Sequence, residues 1–105
     1  MMFKDIFPEE LKEWEEKGAM LVDVREPFEY AQGHIPNTKN IPLSQFMNRK
    51  DEVTEPVVLI CATGNRSGQV AHYLSENLDF TEVANLLGGT FGWSQQGRQI
   101  DMEPC

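Results

Sequence analysis

The stretch that decides the fold is Val57-Val58-Leu59-Ile60-Cys61-Ala62-Thr63-Gly64-Asn65-Arg66-Ser67. Its first four residues form a short apolar run after Pro56, which predicts a buried strand of a parallel sheet. From Asn65 onward, apolar side chains recur at helical spacing, which predicts a helix over Asn65–Asn77. The loop that carries the cysteine is therefore expected between the carboxyl end of a strand and the amino end of a helix.

Cys61 is the candidate nucleophile of this loop. Backbone N–H groups of the loop and of the first helical turn can converge on one point, and Arg66 adds a guanidinium close by in the sequence. Both favour the thiolate, which is the reactive form of cysteine. The small residues Ala62 and Gly64 let the backbone approach the sulfur closely. The alternative is an inert cysteine that ends a core strand, but the glycine, the arginine and the helix start together favour a functional thiol.

The rest of the chain alternates short apolar runs with amphipathic segments. This pattern predicts an α/β fold with a central, mostly parallel sheet of four to five strands flanked by helices on both faces. We predict further strands over residues 19–24, 39–41 and 83–87, helices over residues 8–17, 27–32 and 43–49, and a final helix near Trp93. The carboxyl ends of parallel strands share one edge of a sheet, so Asp23, Cys61 and Gly88 are expected around one crevice.

Composition and charge limit the classes of function. With 105 residues and 40% hydrophobic residues, the chain is predicted to form a single domain over residues 1–105. A formal net charge of −8 repels phosphate backbones and anionic lipid, so we expect no nucleic-acid or membrane binding. The absence of a basic, apolar leader and of a disulfide framework favours a cytoplasmic protein. Cys105 is a candidate resolving thiol for Cys61, although chain ends are usually frayed.

Five fragments, taken in order along the chain, resemble the single-domain rhodaneses, which are thiosulfate:cyanide sulfurtransferases. The fragments are Asp23-Val24-Arg25-Glu26, Gly33-His34-Ile35-Pro36, Asn40-Ile41-Pro42-Leu43, the loop Cys61 to Arg66, and Leu87-Gly88-Gly89-Thr90-Phe91-Gly92-Trp93. The resemblance covers nearly the whole chain and implies a rhodanese-like fold.

The resemblance also implies a two-step transfer of sulfur. In the first step the Cys61 thiolate takes the outer sulfur of thiosulfate or of a related sulfane donor, and sulfite or its equivalent leaves. In the second step cyanide, a cellular thiol or a protein thiol removes the sulfur from the Cys61 persulfide. The loop N–H groups would stabilise the negative charge in both steps, and the scheme uses no metal ion and no cofactor.

The substrate is expected to contact the loop residues Ala62, Thr63, Gly64, Asn65, Arg66 and Ser67. Arg66 can anchor an anionic donor with its guanidinium, or its side chain can fold back to brace the loop or to pair with an acid, which would change the donor preference. Asp23 and Arg25 are expected to form an ion pair that supports the loop from the neighbouring strand. Trp93 is expected either to wall the crevice or to belong to the core.

Two other functions fit the same loop. One is a sulfur carrier or persulfide sensor that loads Cys61 but passes sulfur only to a particular protein. The other is a small phosphatase or arsenate reductase, but phosphatases of this kind have one residue more between the cysteine and the arginine and a histidine before the cysteine. In this chain four residues intervene, and Ile60 stands at the position of that histidine. The shorter ring suits a single terminal sulfur better than a phosphoryl group, so sulfur transfer is favoured.

Overall fold

The computed structural model describes residues 3–102. Within that range the chain forms one sheet of five parallel strands in the spatial order β1-β5-β4-β2-β3. The strands are β1 (Lys4–Ile6), β2 (Met20–Asp23), β3 (Lys39–Asn40), β4 (Val57–Ile60) and β5 (Val83–Leu86). The predicted α/β class with a parallel central sheet is confirmed.

The helices that cover the sheet are α1 (Leu11–Glu16), α2 (Pro27–Ala31), α3 (Phe46–Arg49), α4 (Asn65–Asn77) and α5 (Gly89–Gln95). Helix α4 has the predicted bounds, whereas the predicted helices over residues 8–17 and 43–49 each begin with a short 3₁₀ turn, at Pro8–Glu10 and Leu43–Gln45. A further 3₁₀ turn, Lys50–Glu52, follows α3. None of the helices in residues 3–102 has the length and apolar character that a membrane span requires.

Side chains alternate between the two faces of the sheet, and helices cover both faces. On β4, Val57 and Leu59 pack into one core, whereas Val58 and Ile60 pack into the other. The first core includes side chains of α3 and α4, namely Phe46, Val70, Ala71 and Leu74. The second core includes Leu11 and Trp14 of α1. Cys61 continues the alternation of Val57 and Leu59, which places it on the α4 side of the sheet.

Strand β1 has no counterpart among the strands predicted from the sequence. Its pattern is too short and too polar to indicate one, because Lys4 and Asp5 are exposed and only Ile6 is buried. The strand is formed by parallel pairing with β5, in which Asp5 lies opposite Asn85. A short, charged edge strand of this kind is stabilised by its partner strand more than by its own sequence.

Candidate active site

Cys61 directly follows β4, at the edge of the sheet where the strands end. The residue is only 1% exposed and packs into the core on the α4 side of the sheet. The backbone N–H of Gly64 donates a hydrogen bond to Cys61 Sγ at 3.0 Å. Gly64 has a φ of 107°, a left-handed conformation that favours glycine and that turns the chain back over the sulfur before α4 begins.

The first two carbonyl groups of the loop, those of Cys61 and Ala62, are bound by the first turn of α5. The N–H of Thr90 donates to the carbonyl oxygen of Cys61 at 2.8 Å, and the N–H of Phe91 donates to that of Ala62 at 2.9 Å. Because these two carbonyl groups bind α5, they do not point toward the sulfur. The loop N–H groups can then point toward the sulfur, as that of Gly64 does. The close approach depends on Gly89, which has no side chain between α5 and the loop.

Hydrogen bonds lower the pKa of the Cys61 thiol below its ordinary value. Burial is the largest single influence and raises this pKa, but four donors together outweigh it. These donors are the Ser67 hydroxyl, 3.3 Å from Sγ, and the backbone N–H groups of Ser67, Gly64 and Thr63. These donors shift the equilibrium of Cys61 toward the nucleophilic thiolate, and within residues 3–102 none of them is a cation.

We expect Ser67→Ala to raise the pKa of Cys61, because the variant loses a donor that stabilises the thiolate more than the thiol. The pH profile of alkylation by iodoacetamide, followed on the peptide that contains Cys61, measures this change. Its midpoint should move to higher pH. The matched control is Ser75→Ala, since Ser75 is also a buried serine of α4 but donates to the carbonyl of His72. A midpoint that is the same in both variants would contradict the role assigned to the Ser67 hydroxyl.

Asn85 of β5 is a polar residue of the site that the sequence analysis did not identify. It is 4% exposed, and its Oδ1 lies 2.5 Å from Ser67 Oγ, so Asn85 Oδ1 and Cys61 Sγ compete for the single proton of that hydroxyl. Its Nδ2 donates to the carbonyl oxygen of Gly64 at 3.2 Å and to Asp5 Oδ1 at 3.1 Å. Asn85 thus ties the loop to the sheet. The available signal was an amide side chain inside the otherwise apolar strand Val83–Leu86.

Arg66 pairs with an acid rather than extending freely into solvent. Its Nη1 and Nη2 donate to Oε1 and Oε2 of Glu29 at 2.8 and 3.0 Å. This two-bond contact lowers the pKa of Glu29 to about 2, with the hydrogen bond from Arg66 as the main cause. Arg66 was expected either to anchor an anionic donor or to fold back onto the protein, and in the structure it pairs with a carboxylate. Glu29, in α2, was not among the predicted site residues.

Asp23 and Arg25 form a buried ion pair at the end of β2. The carboxylate of Asp23 is fully buried and accepts bonds from the backbone N–H, Nε and Nη2 of Arg25 at 3.0 to 3.1 Å. Arg25 Nη2 also donates to the carbonyl oxygen of Gly33 at 2.7 Å. The pair fixes the backbone that follows β2, next to the strand that leads into Cys61.

No side-chain contact to Cys61 Sγ is made by the remaining predicted site residues that the structure describes. Thr63 and Asn65 are exposed at the surface of the loop, although the N–H of Thr63 contributes to the lowered pKa of Cys61. Trp93 packs against the core on the α1 side of the sheet, the face opposite to Cys61, and its Nε1 donates to the carbonyl oxygen of Gln99 at 2.8 Å. Cys105 lies outside the described residues.

Comparison with protein families gives one assignment for most of the chain. A model of the rhodanese-like domain matches residues 7–96. The uncharacterised protein YqhL of Bacillus subtilis is 48% identical over 77 residues, which cover 71% of this chain and 60% of that protein. The chain thus spans less than two thirds of that relative. Thiosulfate sulfurtransferase GlpE of Pseudomonas syringae is 36% identical over 94 residues, which are 87% of each chain. A sulfurtransferase of Allochromatium vinosum is 37% identical over 83 residues, which are 77% of each chain.

Solved structures agree with this assignment. A rhodanese-related protein of Thermoplasma volcanium superposes with a TM-score of 0.84 at 31% identity, covering 96% of this chain and 100% of the other. A rhodanese-like domain protein of Staphylococcus aureus gives a TM-score of 0.79 at 29% identity, covering 97% of this chain and 100% of the other.

Proposed function

Because this chain belongs to the rhodanese-like domain family, we propose that it is a sulfurtransferase that works through a persulfide on Cys61. The observation that carries the proposal is the hydrogen bond from the Gly64 N–H to Cys61 Sγ at 3.0 Å, within a loop whose carbonyls at Cys61 and Ala62 are bound by α5. A sulfur held by N–H donors is stabilised as an anion, which both a nucleophilic thiolate and a persulfide need.

In the first half-reaction the thiolate attacks the outer sulfur of a sulfane donor. With thiosulfate, a bond forms between Cys61 Sγ and the outer sulfur, the donor's S–S bond breaks, and sulfite leaves with the electron pair of that bond. A Cys61 persulfide anion remains. The N–H groups of Gly64, Thr63 and Ser67, which already lower the pKa of Cys61, would stabilise the negative charge of the persulfide.

In the second half-reaction an acceptor attacks the outer sulfur of the persulfide. Cyanide would leave as thiocyanate, and a cellular or protein thiol would leave as a persulfide. As the acceptor attacks, the S–S bond of the persulfide breaks and its electron pair stays on Cys61 Sγ. Cys61 is then again a thiolate that the same N–H donors stabilise. We also propose a cytoplasmic location for this chemistry, since a reactive thiol is preserved in a reducing compartment.

Intact mass spectrometry tests the proposal directly. The protein is incubated with excess thiosulfate, desalted, weighed, treated with cyanide and weighed again. We expect the mass to increase by one sulfur atom, located on the peptide that contains Cys61, and to return to its starting value as thiocyanate appears. If neither thiosulfate nor a thiol persulfide adds sulfur to Cys61, the proposed function is wrong.

The same experiment and two activity assays separate the alternatives. A sulfur atom that loads onto Cys61 but resists cyanide and small thiols would indicate a carrier or sensor that serves one protein acceptor. Hydrolysis of an aryl phosphate or reduction of arsenate, dependent on Cys61, would indicate the phosphatase or reductase. The pairing of Arg66 with Glu29 disfavours this last function, because a phosphoryl group would need the guanidinium that the carboxylate already binds.

A further inference from the structure

The guanidinium of Arg66, the arginine of the cysteine loop, already has an anionic partner. Arg66 and Glu29 make two parallel contacts, at 2.8 and 3.0 Å, which is the geometry in which an arginine binds a carboxylate or an oxyanion most strongly. Their side chains are 34% and 25% exposed, so the pair lies at the surface of the loop and is partly shielded from water. An oxyanion that approached Arg66 would meet an occupied guanidinium.

Glu29 is held in this position by its own helix. Its Oε1 also accepts a hydrogen bond from the backbone N–H of Glu26, at 3.0 Å, in the first turn of α2. Its pKa of about 2, caused mainly by the hydrogen bond from Arg66, keeps the carboxylate charged throughout the physiological range. The carboxylate therefore does not have to be recruited to Arg66, because α2 presents it there in advance.

The pairing changes the electrostatics that a donor meets. Arg66 stands in the chain between Gly64 and Ser67, which both contact Cys61 Sγ, and its pKa is raised mainly by its hydrogen bond to Glu29 and less by the charges of Glu29, Cys61 and Asp23. Paired with Glu29, it offers an anion little net charge, and the chain as a whole carries −8. Arg25, the other arginine near this edge, is likewise bound to a carboxylate, that of Asp23.

We propose that Glu29 determines donor specificity: by holding Arg66, it disfavours donors whose leaving group is an oxyanion, such as thiosulfate, and favours persulfides of thiols. This inference rests on the proposed sulfur transfer through Cys61. In the favoured step the Cys61 thiolate attacks the outer sulfur of R–S–SH, a new S–S bond forms at Cys61, and the donor's S–S bond breaks. The thiolate RS⁻ leaves with the electron pair, and the proton stays on the transferred sulfur.

The first test uses two alkylating reagents of similar size and does not depend on sulfur transfer. Iodoacetate is an anion and iodoacetamide is neutral, and both rates are followed on the peptide that contains Cys61. The ratio of the two rates cancels changes in the reactivity or exposure of the sulfur. In Glu29→Gln, which keeps an acceptor for the Glu26 N–H, we expect the rate ratio of iodoacetate to iodoacetamide to rise about tenfold, because a charged hydrogen bond becomes available to the anion.

The second test measures kcat/KM for two sulfur donors with cyanide as the acceptor. The donors are thiosulfate and the persulfide of 2-mercaptoethanol, whose leaving thiolate carries no oxyanion group. In Glu29→Gln we expect kcat/KM for thiosulfate to rise about tenfold through a lower KM, while kcat/KM for the persulfide stays unchanged. A merely structural role of Glu29 would instead lower the rates with both donors.

The matched control is Glu52→Gln. Glu52 holds Arg49 through two contacts, at 2.9 and 3.1 Å, and its pKa is also lowered to about 2 by hydrogen bonds from Arg49 and then Lys39, but this pair lies at the end of α3. We expect Glu52→Gln to leave unchanged both the ratio of the two alkylation rates and the ratio of kcat/KM for the two sulfur donors. An alkylation ratio in Glu29→Gln that equals that of the natural protein, or an equal loss with both donors, overturns the specificity role. A raised alkylation ratio in a protein that transfers sulfur from neither donor would instead leave the electrostatic role standing and refute the proposed function.

Discussion

Replacing Cys61 by alanine is expected to abolish sulfur transfer, with a loss of at least about 10⁴-fold in kcat, because the variant lacks the atom that receives the sulfur. Cys61→Ser should be equally inactive, since a hydroxyl is a poor nucleophile toward sulfur at neutral pH. Serine keeps an acceptor for the Gly64 N–H, so its inactivity would not reflect the loss of that hydrogen bond. The measurement is thiocyanate formation from cyanide, with thiosulfate and a thiol persulfide as donors.

The control for this prediction is Cys105→Ser, which removes the second of the two cysteines. If Cys61 alone carries the sulfur, this variant keeps full activity and still gains one sulfur atom per chain. A fall in turnover with accumulation of the loaded protein would instead give Cys105 the resolving role considered from the sequence. Activity that survives in both Cys61 variants would refute the persulfide mechanism.

Among substitutions that add a single methyl group to a glycine near the loop, Gly89→Ala is expected to destabilise the protein most. A Cβ at this position would lie 2.3 Å from the carbonyl oxygen of Cys61 and 2.6 Å from both the carbonyl carbon and the oxygen of Ala62. These are backbone atoms that cannot rotate away, and the φ of 57° adds strain for any residue with a side chain. We expect Gly89→Ala to lower the free energy of unfolding by roughly 3 kcal/mol or more, because the new methyl group overlaps backbone atoms and the backbone at this residue becomes strained.

The same change should also remove activity, because α5 must move away from the carbonyls of Cys61 and Ala62 to admit the methyl group. Urea unfolding and thiocyanate formation measure the two effects. The matched control is Gly97→Ala, where φ is 74° but no atom lies within 4 Å of the new Cβ. This control should lose only about 1 to 2 kcal/mol, the cost of the left-handed conformation, and should keep its activity. Equal losses in the two variants would mean that contact with the loop is not what requires Gly89.

Local patterns in the sequence were sufficient to predict the main strands and helices of the fold. The apolar run of β4 and the helical spacing of α4 have the predicted bounds, because a buried strand and an amphipathic helix each impose a short, regular pattern on the chain. The candidate nucleophile was found for the same reason: Cys61 stands where a strand ends and a helix begins. Strand β1 could not be found in this way, since its polar sequence forms a strand only through pairing with β5.

The sequence by itself determined the fold class and the cysteine loop, because both depend on residues that are close neighbours in the chain. Only the tertiary structure decided what surrounds that loop. Glu29 and Arg66 are 37 residues apart, and Asn85 and Asp5 are 80 residues apart. A side chain's partner depends on how strands and helices are arranged in space, and no local periodicity encodes that arrangement. The charge that a donor meets at Cys61 is therefore a property of the folded chain.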